Sequence, residues 1–206
     1  MNEYNKIQSI FKRDEKTHKF IEGQYSLPEF EYLKDNEWVF TEKIDGTNIR
    51  IGWMPEVGIN IGGRTDNAQI PTFLYQKLTE IFTNEKLRQV FPDTEVMLCG
   101  EGYGAKIQKG GGNYIPGGVD FILFDIKIGE WWLKRDDIEE IAEQIGLKCV
   151  PIVGKGTIEH AICGIKNGIP STFGGFLAEG LVLKPSVELF SRNGRRIIAK
   201  IKHKDF

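Results

Sequence analysis

The chain has 206 residues, 40% hydrophobic and 27% charged, with a formal net charge of −2 at pH 7. That length and balance fit a soluble globular protein with one large domain or two small ones, and argue against a disordered or membrane-spanning chain. With no global excess of positive charge, any nucleic-acid surface has to be a local patch.

Residues 1–36 are polar and mixed, with Ser26-Leu27-Pro28-Glu29 marking a helix start, because proline suits a first turn. Lys12-Arg13 and Lys16-Thr17-His18-Lys19 in this segment could track a phosphate backbone, but read more simply as solvated surface. Strand-like stretches follow near 37–43, 48–53 and 57–62. Pro71 opens a helix with Leu74, Leu78 and Ile81 on one face. Thr94 to Glu101 and Val119 to Ile128 are rich in strand formers. The loop from Lys106 to Asn113, with Gly110-Gly111-Gly112, reads as mobile and receives no role. Asp136-Asp137 caps a helix with Ile138, Ile141, Ala142 and Ile145 on its core face, stopped by Gly146. A second helix repeats the spacing with Ile158, Ala161, Ile162 and Ile165 and ends at Asn167-Gly168, and strands near 179–184 and 196–202 complete the chain. Strands dominate without regular βαβ alternation, so the expected fold class is α+β with antiparallel sheets flanked by helices.

The residues with chemical potential lie on strands and glycine-rich turns. Lys43 sits in Glu42-Lys43-Ile44-Asp45-Gly46-Thr47-Asn48, between two strand-like stretches. A lysine becomes a nucleophile only when burial or nearby cations favour the neutral amine; the plainer reading of the run is a hairpin with an ordinary surface lysine. Gly62-Gly63-Arg64 places an arginine where backbone can approach a ligand closely. Gly100-Glu101-Gly102-Tyr103-Gly104 sets a carboxylate between glycines; without a following Lys-Ser/Thr it is not a P-loop. Glu179-Gly180-Leu181-Val182-Leu183-Lys184 begins with a carboxylate and ends with a lysine; by strand alternation Glu179, Leu181 and Leu183 share one face, while Lys184 points with Gly180 and Val182. Lys200 and Lys202 share a face of the last strand, a pattern that is most often a solvated edge. His18, His160 and His203 are unclustered, and His160 reads as solvated on a polar helix side, so neither a histidine metal site nor a Ser-His-Asp triad is supported. Cys99, Cys149 and Cys163 are odd in number and lack CxxC spacing, which fits a reducing compartment. The start Met1-Asn2-Glu3-Tyr4 lacks a basic n-region, and no apolar run approaches spanning length. A cytoplasmic location without membrane partners is therefore expected.

Taken in order, Lys43-x-Asp45-Gly46-Thr47-Asn48, Arg64, Glu101, the Asp120–Ile126 strand, Glu179-Gly180 and Lys200-x-Lys202 resemble the covalent nucleotidyltransferases, the superfamily of polynucleotide ligases and capping enzymes. The K-x-D-G-T-N form is most similar to the RNA ligases, in particular the phage enzymes of the double-strand-repair class. The resemblance runs from about Trp38 to Lys202. It implies a single adenylyltransferase domain over 1–206, with 1–36 a polar, helical N-terminal segment and 37–206 the catalytic core. It also implies a monomer that uses ATP and Mg²⁺ or Mn²⁺ to join RNA 5′-phosphate and 3′-hydroxyl ends through a lysyl-AMP on Lys43. By the same resemblance Glu42 contacts the adenine, Phe121 stacks on it in preference to Phe124, and Glu101 and Arg64 bind the ribose. Asn48 acts near the phosphates, Glu179 organises the metal, and Lys200 and Lys202 hold the α-phosphate. Ile44 and Lys184 complete the nucleotide-binding set.

Two features depart from the pattern. The sequence ends shortly after Lys202, so no C-terminal accessory domain is expected, which leaves open a minimal ligase or the catalytic part of a longer one. Asp45 also stands where some close RNA ligases carry histidine. The competing readings are a DNA ligase, a GTP-dependent capping guanylyltransferase, and an RNA-end-binding module without catalysis.

Overall fold

A computed structural model describes residues 3–206; Met1 and Asn2, part of the N-terminal segment, lie outside the described residues. The chain divides into two compact units, one formed by Asn5–Ile44 with Pro151–Phe206, the other by Asp45–Val150 joined by Tyr4. The fold is α+β with mainly antiparallel sheets, as the strand-rich sequence predicts.

The first unit, here the lysine unit, contains β1 (Gln8–Ser9), β2 (Phe11–Arg13), β3 (Phe20–Tyr25), α1 (Pro28–Tyr32), β4 (Trp38–Lys43), β11 (Ile152–Gly156), α6 (Ile158–Asn167), β12 (Gly180–Pro185) and β13 (Ala199–Lys202). Five strands form a sheet in the order β1-β13-β12-β4-β11, antiparallel except for the β1–β13 edge pair. Strand alternation separates its two faces. Trp38, Phe40, Leu181, Leu183, Ala199 and Ile201 are buried on one face, against Ile158, Ala161, Ile162 and Ile165 of α6. Lys43, Val182, Lys200 and Lys202 fall on the other. Helix α6 begins with a reciprocal cap: the Thr157 hydroxyl accepts from the His160 N–H, and His160 Nδ1 accepts from the Thr157 N–H. His160 is therefore a capping residue rather than merely a solvated one.

The N-terminal segment differs from its helical expectation. It holds three short strands and a single helical turn, α1, with proline at its start. Ile10, Phe11, Phe20 and Phe30 enter the core, and their wide spacing gives no periodic signal in the sequence. Arg13 is not part of a solvated basic run, because both its terminal nitrogens bond the Asp205 carboxylate at 2.9 and 2.7 Å.

The second, central unit contains β5 (Thr47–Met54), β6 (Gly58–Gly63), α2 (Thr72–Ile81), α3 (Asn84–Val90), β7 (Val96–Gly104), α4 (Gly111–Tyr114), β8 (Val119–Ile128), β9 (Trp131–Trp132), α5 (Arg135–Ile145) and β10 (Lys148–Cys149). Its sheet runs β10-β8-β7-β5-β6, with β9 beside β8. Ile49, Ile51, Trp53, Leu98, Leu123 and Ile126 form one core with Leu74 and Leu78 of α2, Leu87 of α3, and Ile138, Ala142 and Ile145 of α5. Asp136 and Asp137 occupy the first turn of α5, where they complement the helix dipole, instead of serving as its cap. Helix α3, capped by the Thr83 side chain, has no counterpart in the sequence reading. Among the described residues no helix is long and apolar enough to cross a membrane.

Candidate active site

The lysine unit concentrates the charged candidates on one sheet face. Gly180 of β12 lies between Lys43 of β4 and Lys202 of β13 in register, and Val182 pairs with Lys200. Glu179, just before β12, uses both carboxylate oxygens: Oε2 is 2.5 Å from Lys43 Nζ and Oε1 is 2.5 Å from Lys202 Nζ. The glycine after it is required by space, since a Cβ at Gly180 would overlap the Ile201 carbonyl oxygen and the Lys202 Cα. Lys43 Nζ also donates to the Ile44 carbonyl oxygen at 3.3 Å, which is how the buried Ile44 enters the cluster. Lys200 is held below the ordinary lysine pKa, first by burial and then by the positive charges of Lys202, Lys43, Lys6 and Arg13. A group of cations kept together at this cost is matched to an anion. Lys184 shares the face but pairs with Val39, four residues along β12 from Gly180. That is about 13 Å at strand spacing, so the structure does not bring Lys184 to the cluster.

Glu42 requires a correction. As the neighbour of Lys43 on β4 it falls on the opposite face, and its side chain is buried. Its carboxylate accepts from the Ser171 hydroxyl at 2.6 Å, the Thr172 N–H at 2.8 Å and the Thr172 hydroxyl at 2.6 Å. Glu42 therefore anchors the 171–172 turn and does not present its carboxylate to a base.

The central unit carries the remaining candidates. Asn48 of β5 stands directly across from Glu101 of β7, which stands across from Ile122 of β8. The Asn48 Oδ1 atom is buried without a hydrogen-bond partner. A buried acceptor left unpaired costs stability and marks a place where a donor is missing. Arg64 follows the last residue of β6, and its side chain is exposed. Its turn is fixed from below by the fully buried Arg50, which donates to the Gly63 carbonyl at 2.5 Å and to Asp66 at 2.9 Å. Phe121 is the second correction. It is 2% exposed, sits in the central core and packs edge-on against Phe82 at 5.1 Å. Helix α2 packs against β8, and at this exposure Phe121 presents no ring face to solvent. Phe124 is half-buried and meets Tyr4 edge-on at 5.2 Å, where the Tyr4 hydroxyl donates to Asp125 at 2.6 Å.

The profile of the RNA ligase family matches residues 36–202, most of the chain. The chain belongs to the RNA ligase family. In three dimensions it is similar to the Naegleria gruberi RNA ligase with PPi, with TM-score 0.66, 23% identity, and coverage of 85% of this chain and 52% of that one. A variant of that ligase with ATP and Mn gives TM-score 0.66 and 23% identity, covering 87% of this chain and 55% of that one. A variant with AMP and Mn gives 0.65 and 22%, covering 85% and 52%. This family member thus spans about half the length of the solved ligases it matches.

The matched segment contains every candidate residue from Glu42 to Lys202. Among the described residues no group of three or more acidic, histidine or cysteine side chains could cage a metal ion. A single carboxylate such as that of Glu179 would suit a hard divalent cation that keeps most of its waters. The sequence reading missed Ser171 and Thr172, which hold Glu42, as well as Gln108 and Tyr114, which contact the Asp45-Gly46 turn. A glycine-rich loop announces no specific partner, so only the fold reveals these.

Proposed function

We propose that this protein is an ATP-dependent RNA ligase in which Lys43 carries the AMP. The observation that supports this most is the bridge of Glu179 between Lys43 and Lys202, on a face where Lys200 adds a partly buried cation. A lone nucleotide-binding surface has no need of a lysine amine held by a carboxylate at 2.5 Å.

In the first step Lys43 Nζ, having given up a proton, attacks the α-phosphorus of ATP, and pyrophosphate leaves with the electron pair of the broken P–O bond. Glu179 is placed to hold that proton, since its Oε2 already faces Nζ. Lys200 and Lys202 hold the non-bridging oxygens of the α-phosphate, where negative charge gathers during displacement. Glu179 would hold a divalent cation, which would supply charge neutralisation at the phosphates. In the second step an RNA 5′-phosphate oxygen takes the adenylyl group from Lys43 as the P–N bond breaks. A 3′-hydroxyl then attacks that 5′-phosphate and expels AMP. Asn48, with its unpaired Oδ1, Glu101 across from it and Arg64 after β6 are the central-unit residues with hydrogen-bonding groups suited to a nucleotide.

The test is incubation with α-labelled ATP or GTP and a divalent cation, followed by a panel of nicked, single-stranded and bridged RNA and DNA. Covalent label from ATP and sealing of RNA ends are expected. Label from GTP alone, or sealing confined to DNA, contradicts the proposal.

A further inference from the structure

The glycine-rich loop between β7 and β8 grips the turn that precedes Asn48. The Tyr114 hydroxyl accepts the Asp45 N–H at 3.2 Å, and Gln108 Nε2 donates to the Gly46 carbonyl at 3.2 Å. The Asp45-Gly46 turn is thus held on both sides by residues six apart in one loop. Its third side is closed by β7, because a Cβ on Gly46 would overlap the Gly102 carbonyl oxygen and come within 2.7 Å of Glu101 Cγ. The loop is itself tightly folded. Ala105 N–H bonds the Gly118 carbonyl at 2.8 Å, Gly111 N–H bonds the Gln108 carbonyl at 3.0 Å, and Ile107 packs against the central core. Gly111 abuts the Gly104 carbonyl so closely that any side chain would collide with it. Tyr114 is steadied by an edge-on contact with Tyr103 at 5.9 Å. The glycines therefore permit close backbone packing, and the loop is built rather than slack.

We propose that the 104–118 loop is a clamp on the Asp45-Gly46 turn, and that Tyr114 and Gln108 are positioning residues that set Asn48 opposite Glu101 for nucleotide chemistry. This rests on the proposed function for its kinetic consequence but not for the clamp itself. Asn48 follows the gripped turn by two residues, and its side-chain oxygen is buried and unpaired. Its usefulness depends on where the start of β5 is held, and the Tyr114 and Gln108 side chains that bond that turn both come from this loop.

Two measurements on the full chain with Tyr114→Phe separate the parts of the proposal. The first is amide hydrogen exchange at Asp45, with Ala142 in α5 as reference. Loss of the hydroxyl acceptor is expected to speed Asp45 exchange about fivefold while Ala142 is unchanged. Unchanged exchange at Asp45 overturns the clamp, whether or not the protein reacts with ATP. The second is the rate of labelling by α-labelled ATP. The saturating rate is expected to fall about fivefold with the half-saturating ATP concentration unaltered. Gln108→Ala, an exposed change that leaves the core intact, is expected to do the same, and the double variant to lose less than the product of the two. Wild-type rates in both single variants, or a loss that follows the melting temperature alone, overturn the positioning role. An unlabelled wild-type protein contradicts the proposed function and leaves the exchange result to decide the clamp.

Discussion

Lys200 carries the electrostatic cost of the cation cluster, and this has a measurable sign. Burial and the neighbouring charges of Lys202, Lys43, Lys6 and Arg13 lower its pKa in the fold, so the unfolded chain binds that proton more tightly. Stability of the ligand-free protein is therefore reduced at neutral pH, and the loss is relieved as pH rises from the lowered value toward that of an ordinary lysine. Lys200→Met is expected to melt higher than wild type at pH 7.5 without nucleotide, with the gap closing as pH rises through that window. A lower melting temperature for the variant contradicts this. At Glu42 the expectation reverses. Removing a buried carboxylate that accepts three hydrogen bonds strands the Ser171 and Thr172 donors, at about 1–3 kcal/mol. Glu42→Ala should show that loss in denaturant melts, whereas a wild-type midpoint would indicate that the 171–172 turn does not depend on it. Lys43, Glu179, Lys200 and Lys202 were legible in the sequence through the resemblance of their motifs taken in order; strand alternation alone sets Glu179 with Leu181 and Leu183, and it meets Lys43 and Lys202 because it stands just before β12 begins. Glu42 and Phe121 were not, because what claims them, a turn 129 residues away and the ring of Phe82, lies far along the chain.

Among the elements, β12 sets the geometry of the site. It lies between β4 and β13, and Gly180 lets the backbones of β12 and β13 meet closely enough for Glu179 to reach both lysines. Gly180→Ala forces those backbones apart, and should abolish ATP labelling even where circular dichroism shows the sheet retained. Labelling at the wild-type rate would show that the close approach is dispensable. Strand β8 behaves as a core strand at Phe121. Phe121→Ala should cost about 3–5 kcal/mol of stability, as large-to-small core changes do. A base-stacking residue would instead weaken ATP binding while leaving the melt unchanged. The periodic helices α2, α5 and α6 could be read from their stripes of Leu and Ile. The short β1–β3 strands and α3 could not, because their isolated aromatic and leucine residues become a pattern only when the sheet and its neighbours supply the other half of each contact.

At the scale of the molecule, the sequence runs three times between the two units, after Tyr4, Ile44 and Val150, so neither unit is a continuous stretch of chain. The α+β class was legible because irregularly placed helices among many strands preclude a parallel doubly wound sheet. The division into units was not, because it depends on which distant segments pair. Residues 36–202 carry the family match, and the proposed nucleophile Lys43, with Glu179, Lys200 and Lys202, lies within it and within one unit. The most direct test of the account is peptide mapping by mass spectrometry after incubation with ATP and Mg²⁺. The account predicts one AMP on the peptide containing Lys43, absent from Lys43→Ala at equal folded concentration. AMP on any other lysine, or undiminished adenylylation of Lys43→Ala, would contradict it.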